Sequence, residues 1–171
     1  MSLKNWDNKT WLSSRDYIFS FNNFLLKNID LNQNSQILDI GCGRGKILGN
    51  LASKLRLKKR PIGIDIELHK DKDKRIIFKK VDAIKYLLKN EKKFDLILIK
   101  QTIHLLEFKE IRRLLFLCTK RLQPGGKVMI FTLETSQNEI PTFFRMKKKL
   151  KISLNRDKKI LQFISKLHPN N

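Results

Sequence analysis

The sequence predicts a three-layer α/β fold built on a mainly parallel sheet. Two observations carry this: short apolar runs alternate with amphipathic segments of helical period, and the first run opens directly into a glycine-rich turn. Strands that alternate with helices send each connection back across a sheet face. Both faces are then covered, and ligands bind beyond the carboxyl ends of the strands.

The elements follow in order. Trp11, Tyr17, Ile18, Phe21, Phe24 and Leu25 recur at spacings of three and four, which predicts N-terminal helices within residues 1–30 that cover a sheet edge or roof a site. Gln36 to Ile40 reads as a buried strand that ends in glycines, and Ile47, Leu48, Leu51, Ala52 and Leu55 give the next helix one apolar face. Strands are expected at 61–66, 75–80, 94–99 and 127–133, with helices at 83–89 and 108–122; the turn Gln123-Pro124-Gly125-Gly126 introduces the fifth strand. Phe143, Met146, Leu150, Leu154, Leu161, Ile164 and Leu167 fall at roughly helical spacing, so 141–167 is expected to be one or two basic helices. The reading is one domain over 1–171 with its core at 36–135, since neither repeats nor a linker divide the chain.

At 171 residues and 41% hydrophobic content the chain can bury a core without a staple. Cys42 and Cys118 lie far apart, with no Cys-x-x-Cys pair, and His69, His104 and His168 are scattered. Disulfide and metal chemistry are therefore not expected. No apolar run reaches the length of a membrane span and no signal-peptide core opens the chain, which leads to the expectation of a cytoplasmic protein without a membrane partner. The net charge of +21, from 37 basic and 16 acidic side chains, predicts nonspecific nucleic-acid binding at low salt. A lysine-rich composition spread over exposed positions explains that charge equally well, and no recognition stretch interleaves arginine with aromatic residues.

The segment Ile37-Leu38-Asp39-Ile40-Gly41-Cys42-Gly43-Arg44-Gly45 carries the chemistry. Alternating glycines allow positive φ and close approach of a ligand to the backbone. Dinucleotide enzymes space theirs Gly-x-Gly-x-x-Gly, whereas position 46 here is lysine. Asp39 would repel a pyrophosphate and attract an amino or sulfonium cation. S-adenosylmethionine carries both cations and no phosphate, so it is favoured over NAD or ATP. Asp65, 20 residues past Gly45 at the end of the second strand, stands where an acid can accept hydrogen bonds from ribose hydroxyls.

With those residues in view, the chain resembles the class I S-adenosylmethionine-dependent methyltransferases over residues 36 to about 135. Val81-Asp82-Ala83, Phe94-Asp95-Leu96-Ile97-Leu98-Ile99 and Leu122-Gln123-Pro124-Gly125-Gly126-Lys127 add three further matches in the family's order. The resemblance implies a Rossmann-like methyltransferase fold and a cofactor set of Asp39, Gly41, Cys42, Gly43, Gly45, Asp65, Ile66, Asp82, Ala83 and Lys100, with S-adenosylhomocysteine as product. Asp82 would meet the adenine amino group. Lys100 and His104, in the loop after the fourth strand, are the acceptor-side candidates. The Asn-Pro-Pro-Tyr signature of many base-amine methylases is absent. A small-molecule acceptor is therefore slightly favoured over RNA, and a non-catalytic cofactor-binding or interaction domain is the alternative. The family usually adds two strands after the helix that follows strand five. With helices expected over 141–167, those last two strands are expected to be missing.

Overall fold

The computed structural model describes residues 15–131 and, for the backbone, 145–153 and 160–168. Helix α1 (Arg15–Asn28) leads into β1 (Ile37–Ile40), α2 (Lys46–Leu55), β2 (Ile62–Asp65), β3 (Ile77–Lys80), α3 (Ala83–Lys89), β4 (Phe94–Lys100), a 3-10 turn at Ile103–Leu105, α4 (Phe108–Lys120) and β5 (Leu122–Phe131). The first five strands are parallel and ordered β3-β2-β1-β4-β5. Because the order reverses at β1, the connections from β1 and from β4 diverge there. In open sheets of this kind, ligands bind outside the carboxyl ends of two such strands.

Residues alternate faces along each strand, and this period of two sorts the core into two clusters. Leu38, Ile40, Ile62, Ile64, Ile97, Ile99, Val128 and Ile130 pack under α3 and α4, against Leu87, Leu114 and Leu117. Ile37, Leu96, Leu98, Met129 and Phe131 face the other way, under α1 and α2, against Phe21, Leu25, Leu48 and Leu51. Strands β1 and β4 are largely buried on both faces because both are covered. Helix α1 is fastened to α2 by the buried Asn22, whose Nδ2 donates to Ile47 O (3.0 Å) and Asn50 Oδ1 (2.8 Å). Its Phe21 ring meets Phe131 edge-on, with centroids 4.7 Å apart. Of the segment 1–30, residues Arg15–Asn28 form α1, and residues 1–14 lie outside the described residues.

The expectation for the C-terminal segment is corrected. Arg145–Ser153 and Ile160–His168 are strands, β6 and β7, that extend the sheet beyond β5 in the order β5-β7-β6. Strand β7 runs parallel to β5, and β6 antiparallel to β7. Met146, Leu150 and Ile152 fit a period of two as well as one of 3.6, and Ile152, Ile160, Phe163 and Ile164 are strand-favouring types. The sheet thus carries the two further strands that the sequence reading left out. The remainder of 141–167 lies outside the described residues. Among the described residues no helix is long and apolar enough to cross a membrane.

Candidate functional site

The glycine loop closes the carboxyl end of β1. Gly41 and Cys42 both donate their backbone N–H to Ile64 O, at 2.9 and 3.1 Å, which folds the loop back over β2. Gly41, Gly43 and Gly45 have φ of 70°, 53° and 71°, in the left-handed region where a side chain is strained. Two of them also have no room for a Cβ: at Gly41 it would overlap the Thr102 side chain, and at Gly45 it would run into Ile76. Thr102 Oγ1 in turn donates to Lys100 O (3.0 Å) and, more distantly, to Ile40 O (3.3 Å), binding the segment after β4 to the end of β1.

Strand register aligns three charged residues. Asp39 lies opposite Leu98 on β4 and Gly63 on β2, so Lys100 and Asp65 are each one diagonal step from it. With the period of two, all three fall on the α1–α2 face of the sheet, in the order Asp65, Asp39, Lys100 across β2, β1 and β4. Asp39 is buried, and its Oδ1 has no hydrogen-bond partner among the described residues. Burial pushes its carboxyl up to about 7, the Lys100 charge opposes that rise, and the Asp65 charge adds to it. Burial likewise pushes Lys100 down to about 8 against the pull of Asp39. The Lys100 ammonium lies 5.3 Å from the ring centre of Tyr17 and 5.9 Å from that of Phe21, so helix α1 holds it by ring faces.

Asp65 ends β2 with both carboxylate oxygens engaged. Oδ2 accepts from Gly43 N (2.8 Å) and Oδ1 from Glu67 N (3.0 Å), so the acid both positions the glycine loop and closes a turn. Each oxygen keeps a lone pair for a ligand hydroxyl. Ile66, the next residue, is 59% exposed and Leu68 60%, an apolar lip that leaves β2. Val81 N donates to Asp65 O, bringing the start of α3 beside it. Asp82 is the N-cap of α3, its Oδ1 accepting from Lys85 N at 2.9 Å, and Ala83 packs partly into the core. Cys42 is half-buried, its thiol pushed up by burial first and by Asp39 and Asp65 next. His104 sits in the 3-10 turn, and its side chain lies outside the described residues.

Sequence reasoning missed Thr102, the facing of Lys100 toward Asp39, and Leu68. Counting parity along β1 and β4 could have found the second: positions 37 and 39, and 96, 98 and 100, share a face once the strands are aligned. The contact between Gly41 and Thr102 has no sequence signal.

A family of methyltransferase domains matches residues 31–163 of this chain. The chain belongs to that family. Among solved structures, a SAM-dependent methyltransferase from Archaeoglobus fulgidus is similar at 27% identity and a TM-score of 0.56, over 66% of this chain and 50% of that one. A phosphoethanolamine N-methyltransferase 2 from Haemonchus contortus, in complex with phosphomonomethylethanolamine and S-adenosylhomocysteine, is 26% identical with a TM-score of 0.53, over 66% and 28%. A SAM-dependent methyltransferase from Thiobacillus denitrificans, in complex with S-adenosylhomocysteine, shares the fold at 19% identity and a TM-score of 0.52, over 66% and 46%. This methyltransferase domain thus spans half or less of the length of these structures. No curated protein matches the chain.

Proposed function

We propose that this methyltransferase domain binds S-adenosylmethionine in the crevice at the ends of β1, β2 and β4 and transfers its methyl group to a small-molecule acceptor. One observation carries the reading. A loop of three glycines at positive φ lies beside a buried carboxylate whose Oδ1 has no hydrogen-bond partner among the described residues, an arrangement that suits a cationic ligand and repels a phosphate. The residues present fit the cofactor: Gly41, Cys42, Gly43 and Gly45 would lie along its methionine part, Asp39 would meet its amino group, and Asp65 its ribose hydroxyls. Ile66, Asp82 and Ala83 would flank the adenine.

When bound, the cofactor supplies an already activated methyl group, displaced in line by the acceptor atom. The chain's own work is therefore alignment and exclusion of water, with effective proximity as the main source of rate. Lys100 and His104 are the acceptor-side candidates, where a base is needed only if the acceptor must lose a proton. The preference for a small acceptor draws on the phosphoethanolamine methyltransferase likeness and on the lack of a base-amine methylase signature.

Calorimetric titration with S-adenosylmethionine, S-adenosylhomocysteine, NAD and ATP tests the reading, followed by a methyl-transfer screen on metabolites and RNA. Binding of either methionine nucleoside without NAD binding is expected; NAD binding alone would overturn it. Cofactor binding with no transfer to any acceptor would favour the non-catalytic domain.

A further inference from the structure

Helix α4 presents rings as well as charges on the side turned away from the sheet. Leu114, Leu117 and Cys118 are its buried residues and face the core. On the opposite side Phe108, Arg112, Phe116 and Lys120 follow one another at steps of four, which lines them up as one ridge about 18 Å long. All four are exposed, Phe108 at 74% and Phe116 at 61%. Leu105 of the preceding 3-10 turn, also exposed, continues the row. A lone surface phenylalanine is ordinary, whereas a row of large apolar side chains marks an interaction site. The charge on this face has one sign. Glu107 and Glu110, the two acids between 105 and 120, are engaged with each other's backbone in the capping box that starts the helix, Glu107 N donating to Glu110 Oε2 at 3.0 Å. Arg112 stands 6.0 Å from the ring centre of Phe108, and the Lys120 ammonium 5.4 Å from that of Phe116.

We propose that this ridge docks an acidic amphipathic helix of a protein partner, one whose own ridge alternates apolar and carboxylate side chains four residues apart. The proposal is independent of the cofactor reading. Ridges of period four interdigitate when two helices pack, so an alternating ridge selects a partner that alternates with the same step. Carboxylates would meet Arg112 and Lys120, and apolar side chains would cover the two rings; phenylalanine and arginine are the residue types that anchor such interfaces. Three other occupants fit less well. A second copy of this chain in a two-fold contact would set the same cations against one another. A bilayer would receive Arg112 together with the rings on either side of it, which carries a charge into the acyl region. Single-stranded RNA stacks bases on open ring faces, and here a cation of this chain already stands beside each ring. An occupant of the ridge borders the segment after β4, since the row begins in the 3-10 turn that follows that strand.

The test uses the full chain at physiological salt and two labelled helical peptides of about four turns, the length of the ridge. One alternates leucine and glutamate at every fourth position, and the other has lysine in place of glutamate. By fluorescence anisotropy the chain should bind the glutamate peptide with a Kd on the order of 10 µM and the lysine peptide at least about tenfold more weakly. Phe108→Ala and Phe116→Ala should each weaken the glutamate peptide by about tenfold, as truncation of an aromatic anchor does. Arg112→Glu combined with Lys120→Glu should reverse the preference, so that the lysine peptide binds better. Thermal melts check that the variants stay folded; should either alanine variant fail to fold, the charge reversal decides, and an unchanged preference overturns the proposal. No binding of the glutamate peptide overturns it as well. So does binding that survives both alanine changes, because attraction to the net charge alone then accounts for it. Oligouridylate, or vesicles of phosphatidylcholine and phosphatidylserine, bound at the same salt and lost in the alanine variants would make the occupant RNA or a bilayer and also overturns it.

Discussion

Asp39 is held where its environment and its proposed task conflict: burial disfavours the charge that a cationic ligand requires. Its native value of about 7 exceeds the ordinary 3.8, so between those limits the folded chain keeps a proton that the unfolded chain has released. Its contribution to stability is full below pH 3.8 and is lost as pH rises through about 7. Lys100 has the opposite slope. Its value of about 8 lies below the ordinary 10.5, so stability is regained as pH climbs from 8 to 10.5. Asp39→Asn should therefore raise stability at pH 8 by about 1–3 kcal/mol, with a much smaller gain at pH 5, because it removes a buried charge that Lys100 only partly offsets. The same variant should bind S-adenosylhomocysteine at least tenfold more weakly. Urea midpoints at the two pH values and one titration check both halves; a variant less stable at pH 8 would mean that the charge supports the fold. Gly41 and Gly125 give a second residue-scale contrast, since both have positive φ but only Gly41 has the Thr102 side chain where a Cβ would go. Gly125→Ala should cost about 1–2 kcal/mol in backbone strain, and Gly41→Ala clearly more, with loss of cofactor affinity. Thermal melts of the two variants separate strain from overlap.

At the scale of elements, the first five strands and the helices between them were legible because each carries its own periodicity, and the glycine turn marks where β1 stops. What was not legible depends on pairing between distant segments. The register of β1 against β4 turns Lys100 toward Asp39, and Thr102 reaches Gly41 from 61 positions away. The segment 145–153 was ambiguous for a local reason: Met146, Leu150 and Ile152 suit either period, and pairing within the sheet decided it. Helix α2 shows how tertiary contact overrides local preference. Alanine would suit the interior of a helix better than Gly49 by about 1 kcal/mol. A Cβ there, however, would overlap the carboxylate of Asp73, which Arg75 holds at 2.7 and 2.9 Å. Gly49→Ala should therefore destabilise the domain by about 1–3 kcal/mol. Combined with Asp73→Ala it should cost less than the two single changes added, because the overlap is then gone. A double-mutant cycle by chemical denaturation measures this, and strict additivity would place the conflict elsewhere.

For the whole molecule, the charge and the crevice lead to different partners, and salt separates them. A net charge of +21 creates a positive field that any polyanion will feel, and each phosphate neutralised releases counterions. Such binding is steep in salt and indifferent to sequence, so it identifies no methyl acceptor. The tail from 141 to 171 holds nine Lys and Arg against one acid, Asp157, and five of them, Arg145, Lys147, Lys148, Lys149 and Lys151, fall in β6. Recognition of single-stranded RNA ordinarily interleaves such cations with aromatic rings on which bases stack, and between 145 and 153 there is none. RNA binding to the intact chain should therefore be weak at physiological salt. Replacing the five residues with glutamine should lower the slope of log affinity against log salt by up to about three units for single-stranded RNA. Affinity for S-adenosylhomocysteine should change little with those replacements, because the proposed cofactor site lies at the ends of β1, β2 and β4. Fluorescence anisotropy across a salt series, with calorimetry on the same two proteins, measures both effects. Tight, sequence-selective RNA binding that persists at physiological salt would reverse the preference for a small acceptor and make RNA the leading substrate.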